Sequence, residues 1–542
     1  MRNPGQSRFL PWVLLGLLML GSGAILLSVT SGINFVTDEW NLLFLRSGWT
    51  PDSFLEPFHE HVIIAPTLIY KVLQGTLGMD SNRPFQLAAL IMFLAIGPLL
   101  FIWMRRRIGD WAALIGVALI LFLGAAFEDL LWAFQIGYFG SLAFGLAALI
   151  ALDRDDRRGD VAAAILLVLS LSFSSLGLPF VAGAAAEWLT NPRERGKRWL
   201  VPAAAAAFYG IWWLGWGHSA ETTFSLANIP EAPRFILDAA SAGATSLFGL
   251  ATGDGSEPDQ PHLIWGRIIL VALLALSGLR LWRLKRIPPG VIIAATVALS
   301  FFALSALAQS ESRLPTSSRY QLPGALFLLL FFTEILRGLK LKPPALVAGA
   351  AVTIAAAVMG VGLMSDQSRD RWVPVSTSTS TYLGMVAYAG EANDPELVLN
   401  LGPGSEVPID RFLDQVKTSG SPGYSAGEIQ SRDAGVRAAA DQDLIELTKP
   451  LLSGFNPGGN FDRCREYPPD VTVAVRSGVR VIEIRSLGDQ ILNLGLARFG
   501  DPPGYPIGST HAGSMGWLEI PAIDDPPPWQ VTGDGPFAVC YR

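Results

Sequence analysis

The sequence predicts an α-helical polytopic membrane protein with about 11 transmembrane helices, followed by a β-rich domain outside the membrane. Three observations predict this class. The 542 residues are 51% apolar and only 16% charged, whereas a soluble domain carries about 25% charged residues. Apolar runs long enough to span a bilayer recur up to residue 364. Residues 1–364 hold 26 Lys and Arg against 23 Asp and Glu, while residues 365–542 hold 14 against 23, within a formal net charge of −6. The split separates a membrane body, 1–364, from an acidic soluble tail, 365–542. The chain has no basic nucleic-acid footprint, P-loop, dinucleotide fingerprint, zinc-finger spacing or internal repeat.

The spans follow in order. Residues 9–30 form the first, read as a retained anchor because no small-residue cleavage site is clear. Ten more are expected at 84–104, 111–127, 138–152, 161–177, 178–189, 199–216, 263–282, 290–308, 322–336 and 343–364. The pair 161–177 and 178–189 is short enough to form one tight hairpin. Arg2 and Arg8 place the N-terminus in the cytoplasm. Every second turn is then basic: Arg105 to Arg107, Arg154 with Arg157 and Arg158, Arg193 to Arg198, Arg283 to Arg286, and Arg337 to Lys342. The alternate turns are poor in Lys and Arg. Eleven spans put the tail outside. The two cysteines of the chain, Cys464 and Cys540, both lie in that tail. There they are expected to pair as a disulfide.

Two outside segments, 65–77 and 232–250, carry apolar residues at helical spacing and read as helices lying on the membrane surface. The second sits inside a long loop, 217–262. Tryptophans at span ends read as an aromatic belt. The tail is expected to open with a polar Ser/Thr stretch, 376–381, and then a helix to about residue 389. Strands are expected at 397–401, 471–475, 479–484, 491–497, 517–520 and 537–541, as a small β-sandwich. Cys464 before the strands and Cys540 in the last would tie its ends together.

The residues able to carry chemistry crowd the outside turns. Asp38 and Glu39 follow the first span by about eight residues. A carboxylate at a water-filled membrane edge suits a base that takes a hydroxyl proton. Mutual repulsion raises one pKa of such a pair. The bland reading is a solvated acidic cap. His59-Glu60-His61 precedes the next apolar stretch. In an extended segment the two histidines share a face. Metal ligation, contact with substrate hydroxyls, orientation of Asp38 and plain loop packing all remain open for them. No further ligands mark a metal site. Glu128 and Asp129 form a second acidic pair after the third span, with Gln135 in the same loop able to bind hydroxyls. The alternative is that Asp129 caps the following helix. Arg313 and Arg319 break the pattern of arginine-poor outside loops, and Tyr320 adjoins Arg319 at the edge of a span. A guanidinium held there suits a lipid phosphate, and snorkelling to headgroups is the alternative.

The pieces TDEWNLL, FHEHVIIAPTLIYKVL, EDLLWAFQIGYFGSLAF, SFSSLGLPFVAGAAAEWL and SSRYQLPGALFLLL cover most of residues 30–340. In them the chain resembles bacterial polytopic membrane glycosyltransferases of the GT-C superfamily. The resemblance implies a polyprenyl-phosphate sugar donor used on the outer face, a glycan, lipid or protein acceptor, and an inverting transfer. It maps the base onto Asp38, with Glu39 adjacent, and the donor phosphate onto Arg319 and Tyr320. The separated two-aspartate motif of the metal-using members is missing here, so a divalent metal is not expected. A non-catalytic carrier or flippase for lipid-linked glycans is the rival reading. It would place ionisable groups in mid-membrane and show inverted repeats. A polysaccharide polymerase or ligase shares the lipid donor and stays open.

Overall fold

The computed structural model describes residues 9–46, 48–190, 196–251, 263–402, 405–455, 458 and 460–542. The expectations resting on Arg2, Arg8, Arg193, Arg195 and the loop end 252–262 lie outside the described residues. The chain divides into two compact units. Met1–Ile33, Arg46–Leu73 and Arg83–Val373 form the first; Asn34–Leu45, Gln74–Asn82 and Pro374–Arg542 form the second.

Helices follow one another from the N-terminus as α1 Leu10–Val29, α2 Pro51–Leu55, α3 Ile64–Leu77, α4 Arg83–Ile108, α5 Asp110–Leu121, α6 Phe127–Leu131, α7 Ile136–Leu152 and α8 Arg157–Phe173. Next come α9 Leu178–Thr190, α10 Leu200–Gly215, α11 Ala232–Leu247, α12 Leu263–Leu284, α13 Pro289–Leu307, α14 Gln321–Leu336, α15 Pro343–Gln367 and α16 Val373–Ala389. Among the described residues, eight helical runs are long and apolar enough to cross a membrane by length and composition. The other three expected spans are helical but short: α8 has 17 residues, α9 has 13 and α10 has 16. A bilayer needs about 20 residues at full thickness. Ser174 adopts an extended conformation that ends α8, and a 3-10 turn, Ser175–Gly177, leads into α9.

The first unit has two chemically distinct ends. At one, Arg107 of α4 pairs with Glu334 of α14 and with Asp153 at the end of α7. Its side chain is 6% exposed and that of Glu334 is 1% exposed, so this basic turn residue is consumed by a buried ion-pair network. At the other end lie the N-termini of α7 and α14. These helices of 17 and 16 residues separate the two ends by about 25 Å at 1.5 Å per residue.

Two surface-helix expectations fare differently. Helix α3 forms and presents Leu68 and Val72, each nearly half exposed, while Thr67, Tyr70 and Lys71 turn inward. Helix α11 does not lie on a surface. From Asp238 to Leu247 it is buried, packed against α12, α13 and α14. Its run of small residues, Ala239 to Ala244, allows close approach, as where a Cβ on Gly243 would meet Leu328 at 3.2 Å.

The second unit holds α17 Ile409–Ser419, α18 Ala426–Gln430 and α19 Ala434–Thr448 and, among the described residues, eleven strands. Strands β1 Val398–Asn400 and β2 Glu406–Pro408 make a short ribbon. The others are β3 Leu452–Ser453, β4 Arg463–Tyr467, β5 Val473–Ala474, β6 Val481–Ser486, β7 Leu492–Ala497, β8 Tyr505–Thr510, β9 Met515–Glu519, β10 Gln530–Gly533 and β11 Phe537–Tyr541. They build two antiparallel sheets, ordered β5-β10-β7-β8 and β3-β9-β6-β11-β4. Cys464 and Cys540 are bonded. Contrary to expectation, Cys464 sits within a strand, and the bond joins neighbouring β4 and β11 in register. The Ser/Thr stretch 376–381 is also not a leading loop: it lies inside α16. Helix interiors tolerate these residues where their hydroxyls bond back to the preceding turn, as Thr381 does to Thr377 O at 2.8 Å.

Candidate functional site

The site is assembled at the end of the first unit opposite the Arg107 network. Residues Phe58–His61 close a tight turn, with each terminal N–H donating to the other's carbonyl at 3.0 and 2.9 Å. His59 takes the left-handed conformation at φ 48°, which His adopts more readily than most residues. The segment is therefore not extended, and His59 and His61 do not share a strand face. The turn instead sets Glu60 outward against Arg313. Both Glu60 oxygens accept from Arg313, whose Nη1 also donates to Thr223 Oγ1 at 3.0 Å. Arg313 itself stands in a second tight turn, bridged to Ser310. Ser175 Oγ donates to the Glu60 carbonyl at 3.0 Å, so the α8–α9 turn buttresses the first one.

Electrostatics follow from this packing. Burial pushes the Glu60 carboxyl up, but His61 and the Arg313 guanidinium outweigh it and hold the group below its usual range. Burial above all pushes His61 down to about 4, with Arg313, His59 and Arg319 adding to the effect against Glu60. At neutral pH the imidazole is uncharged. It packs edge-on to Tyr138, with ring centroids 6.1 Å apart, and its Nδ1 is buried without a hydrogen bond.

The acidic pair Glu128–Asp129 falls in the first turn of α6. Ser318 staples this segment to the start of α14: its Oγ donates to Ala125 O at 2.7 Å and accepts from Glu128 N at 3.1 Å. Glu128 then receives Arg319 twice, from the backbone N–H at 3.1 Å and from Nε at 3.4 Å. The terminal Nη1 and Nη2 of Arg319 carry no hydrogen bond among the described residues, and its side chain is 36% exposed. Tyr320 rests its ring edge-on against Phe235 and Phe301. Asp129 caps no helix, contrary to the capping alternative. It is 0% exposed, and neither of its oxygens has a hydrogen-bond partner. Gln135 is also buried, with Oε1 unpartnered.

The structure thus brings Glu60, His61, Glu128, Asp129, Arg313, Arg319 and Tyr320 into one charge cluster. Tyr138, in the first turn of α7, belongs to it as well: Tyr320, Arg319, Asp129 and Glu60 are its electrostatic neighbours. Reading the sequence did not single it out, because an aromatic at a span edge resembles the aromatic belt. Asp38 and Glu39 belong to the second unit. Glu39 is 0% exposed and accepts the Val36 N–H at 2.9 Å, while Asp38 is half-buried on the same turn. Among the described residues no group of three or more His, Cys, Asp and Glu is placed to hold a metal ion.

No protein-family profile matches the chain, and no curated protein matches it. Among solved structures, the chain is similar to the crystal structure of ArnT from Cupriavidus metallidurans bound to undecaprenyl phosphate. The two share 14% identity over 75% of this chain and 85% of that chain, with a TM-score of 0.42. A likeness of that score is too weak to carry an argument about function.

Proposed function

We propose that the chain is a membrane glycosyltransferase of the GT-C type, moving a sugar from a polyprenyl-phosphate donor to a glycan, lipid or protein acceptor on the outer face. The observation that carries this reading is the posture of Arg319. Glu128 fixes its backbone and Nε, and both terminal nitrogens are left open. A guanidinium so held matches the paired oxygens of a phosphate. Tyr320 stands beside it, its ring held by Phe235 and Phe301. Arg313, by contrast, spends its terminal nitrogens on Glu60 and Thr223, so its part is to clasp the Glu60 turn.

In this reading the acceptor oxygen attacks the anomeric carbon, and the bond from that carbon to the phosphate oxygen breaks. The electron pair stays on the phosphate, where Arg319 offsets the growing charge. Asp38 takes the acceptor's hydroxyl proton. Its half-buried position supports that choice over Glu39, whose carboxylate is turned back onto its own backbone. The test is release of free polyprenyl phosphate from a panel of polyprenyl-phosphate sugars by purified protein with acceptors supplied. Turnover that disappears in Asp38→Asn with folding intact supports the transferase. Donor binding without turnover in the wild type contradicts it and favours a carrier.

A further inference from the structure

The hydroxyl of Tyr138 is without a hydrogen bond among the described residues, although charged and polar groups lie around it. Three features aim it. The tyrosine lies in the first turn of α7, where the helix N-terminus favours negative charge. Its ring is set by the edge of His61 at 6.1 Å, and the turn carrying His61 is closed by two backbone hydrogen bonds. Its electrostatic neighbours are Tyr320 and Arg319 on the α14 side, and Asp129 and Glu60 on its own side. The segment before it is stapled to Ser318 and Arg319 through Glu128. Tyr138 therefore keeps its place relative to the guanidinium through bonds at both ends.

We propose that Tyr138 donates its hydroxyl proton in a hydrogen bond to the lipid phosphate held by Arg319, making a three-point cradle with Tyr320. This rests on the phosphate reading of Arg319 given above. The carboxylates nearby argue for a donor in this place. Glu128 and Glu60, each paired to an arginine, oppose a further negative charge, and Arg319 is the one cation of the pair with open nitrogens. Neutral hydroxyl donors add hydrogen bonds to phosphate oxygens without needing a further counter-charge. The neutral state of His61 fits the same scheme: it supports the tyrosine ring and brings no additional charge.

The experiment measures binding of undecaprenyl phosphate and of undecaprenol, separately, to purified full-length protein in detergent. The variants are Tyr138→Phe, Tyr138→Met and Arg319→Ala, each with its thermal unfolding midpoint. Wild type is expected to prefer the phosphate over the alcohol, and Arg319→Ala to lose that preference. Tyr138→Phe keeps the ring on His61, and its affinity for the phosphate is expected to fall about tenfold or more, the loss of a hydrogen bond to a charged group. Its affinity for undecaprenol and its unfolding midpoint stay at wild-type values. Tyr138→Met, which also lacks the hydroxyl, gives the same selective loss and serves if Phe perturbs folding. Wild-type phosphate affinity in Tyr138→Phe, or an equal loss for phosphate and alcohol, overturns the role of Tyr138 while leaving Arg319 standing. A wild type that does not distinguish phosphate from alcohol overturns the phosphate reading itself.

Discussion

Glu128 accepts two hydrogen bonds from Arg319, at 3.1 Å from its backbone N–H and at 3.4 Å from Nε. The residues stand 191 positions apart. The carboxylate does not neutralise the guanidinium head-on; it holds the stem side and leaves the far edge open. In Glu128→Ala that orientation is lost while the charge of Arg319 remains. The donor KM is expected to rise about tenfold with a smaller change in kcat, the pattern of lost ground-state positioning. Steady-state kinetics on the reconstituted enzyme check this. A fall in kcat at constant KM would contradict it.

Asp129 is the largest local violation of polar pairing in the site, with a fully buried carboxyl group and no partner for either oxygen. Such a group costs stability. Replacing it by the similarly shaped Asp129→Leu is expected to raise the thermal unfolding midpoint by a few degrees. A destabilised Asp129→Leu would show that the carboxyl is structural.

His61 binds its proton at about 4 in the folded chain, against about 6.5 in an unfolded one. The unfolded state therefore takes up a proton first as the pH falls, and the stability of the first unit should drop between about pH 6.5 and pH 4. Glu60 acts further down the scale. Its pKa is lowered by folding, so its contribution is present above the ordinary carboxylate range and is lost as pH falls through the lowered value. His61→Phe should flatten the upper part of the acid limb in unfolding midpoints taken across pH. An unchanged profile would contradict this assignment.

Gly124 and Gly360 bring two backbones together where a Cβ cannot fit. A Cβ on Gly124 would lie 1.8 Å from the Gly360 carbonyl oxygen. The contact sets the height of the segment that leads into Glu128. Gly124→Ala is expected to cost about 3 kcal/mol, the upper end of ordinary overpacking, and to impair phosphate binding with it. Chemical denaturation measures the first and lipid binding the second.

These residues also show how much was legible in the sequence. The membrane helices and the paired cysteines follow from composition and periodicity, which are local properties, whereas the grouping of Asn34–Leu45 and Gln74–Asn82 with the second unit leaves no mark in either. Glu60 and Arg313 could be flagged separately, but not as partners across 253 residues. The turn at His59 was hidden because a left-handed histidine leaves no pattern in the sequence. Helix α11 was misplaced because one apolar stripe serves a surface helix and a buried one equally. Its small residues, Ala239 to Ala244, were the signal for burial. In the tail, α17 and α19 were missed although their ends were marked. Asp433 caps α19 through Val436 N at 3.1 Å, and Gly420 closes α17 in a positive-φ conformation.

The central claim, a lipid phosphate held by Arg319, is tested most directly by following polyprenyl phosphate release from a polyprenyl-phosphate sugar by wild type, Arg319→Ala and Arg313→Met. The account predicts that Arg319→Ala raises the donor KM by about a hundredfold or more, the loss expected for a paired charge-assisted contact. Arg313→Met should chiefly lower the thermal midpoint. Near-normal donor KM in Arg319→Ala, with the larger loss in Arg313→Met, would contradict it and move the phosphate to the Glu60 turn.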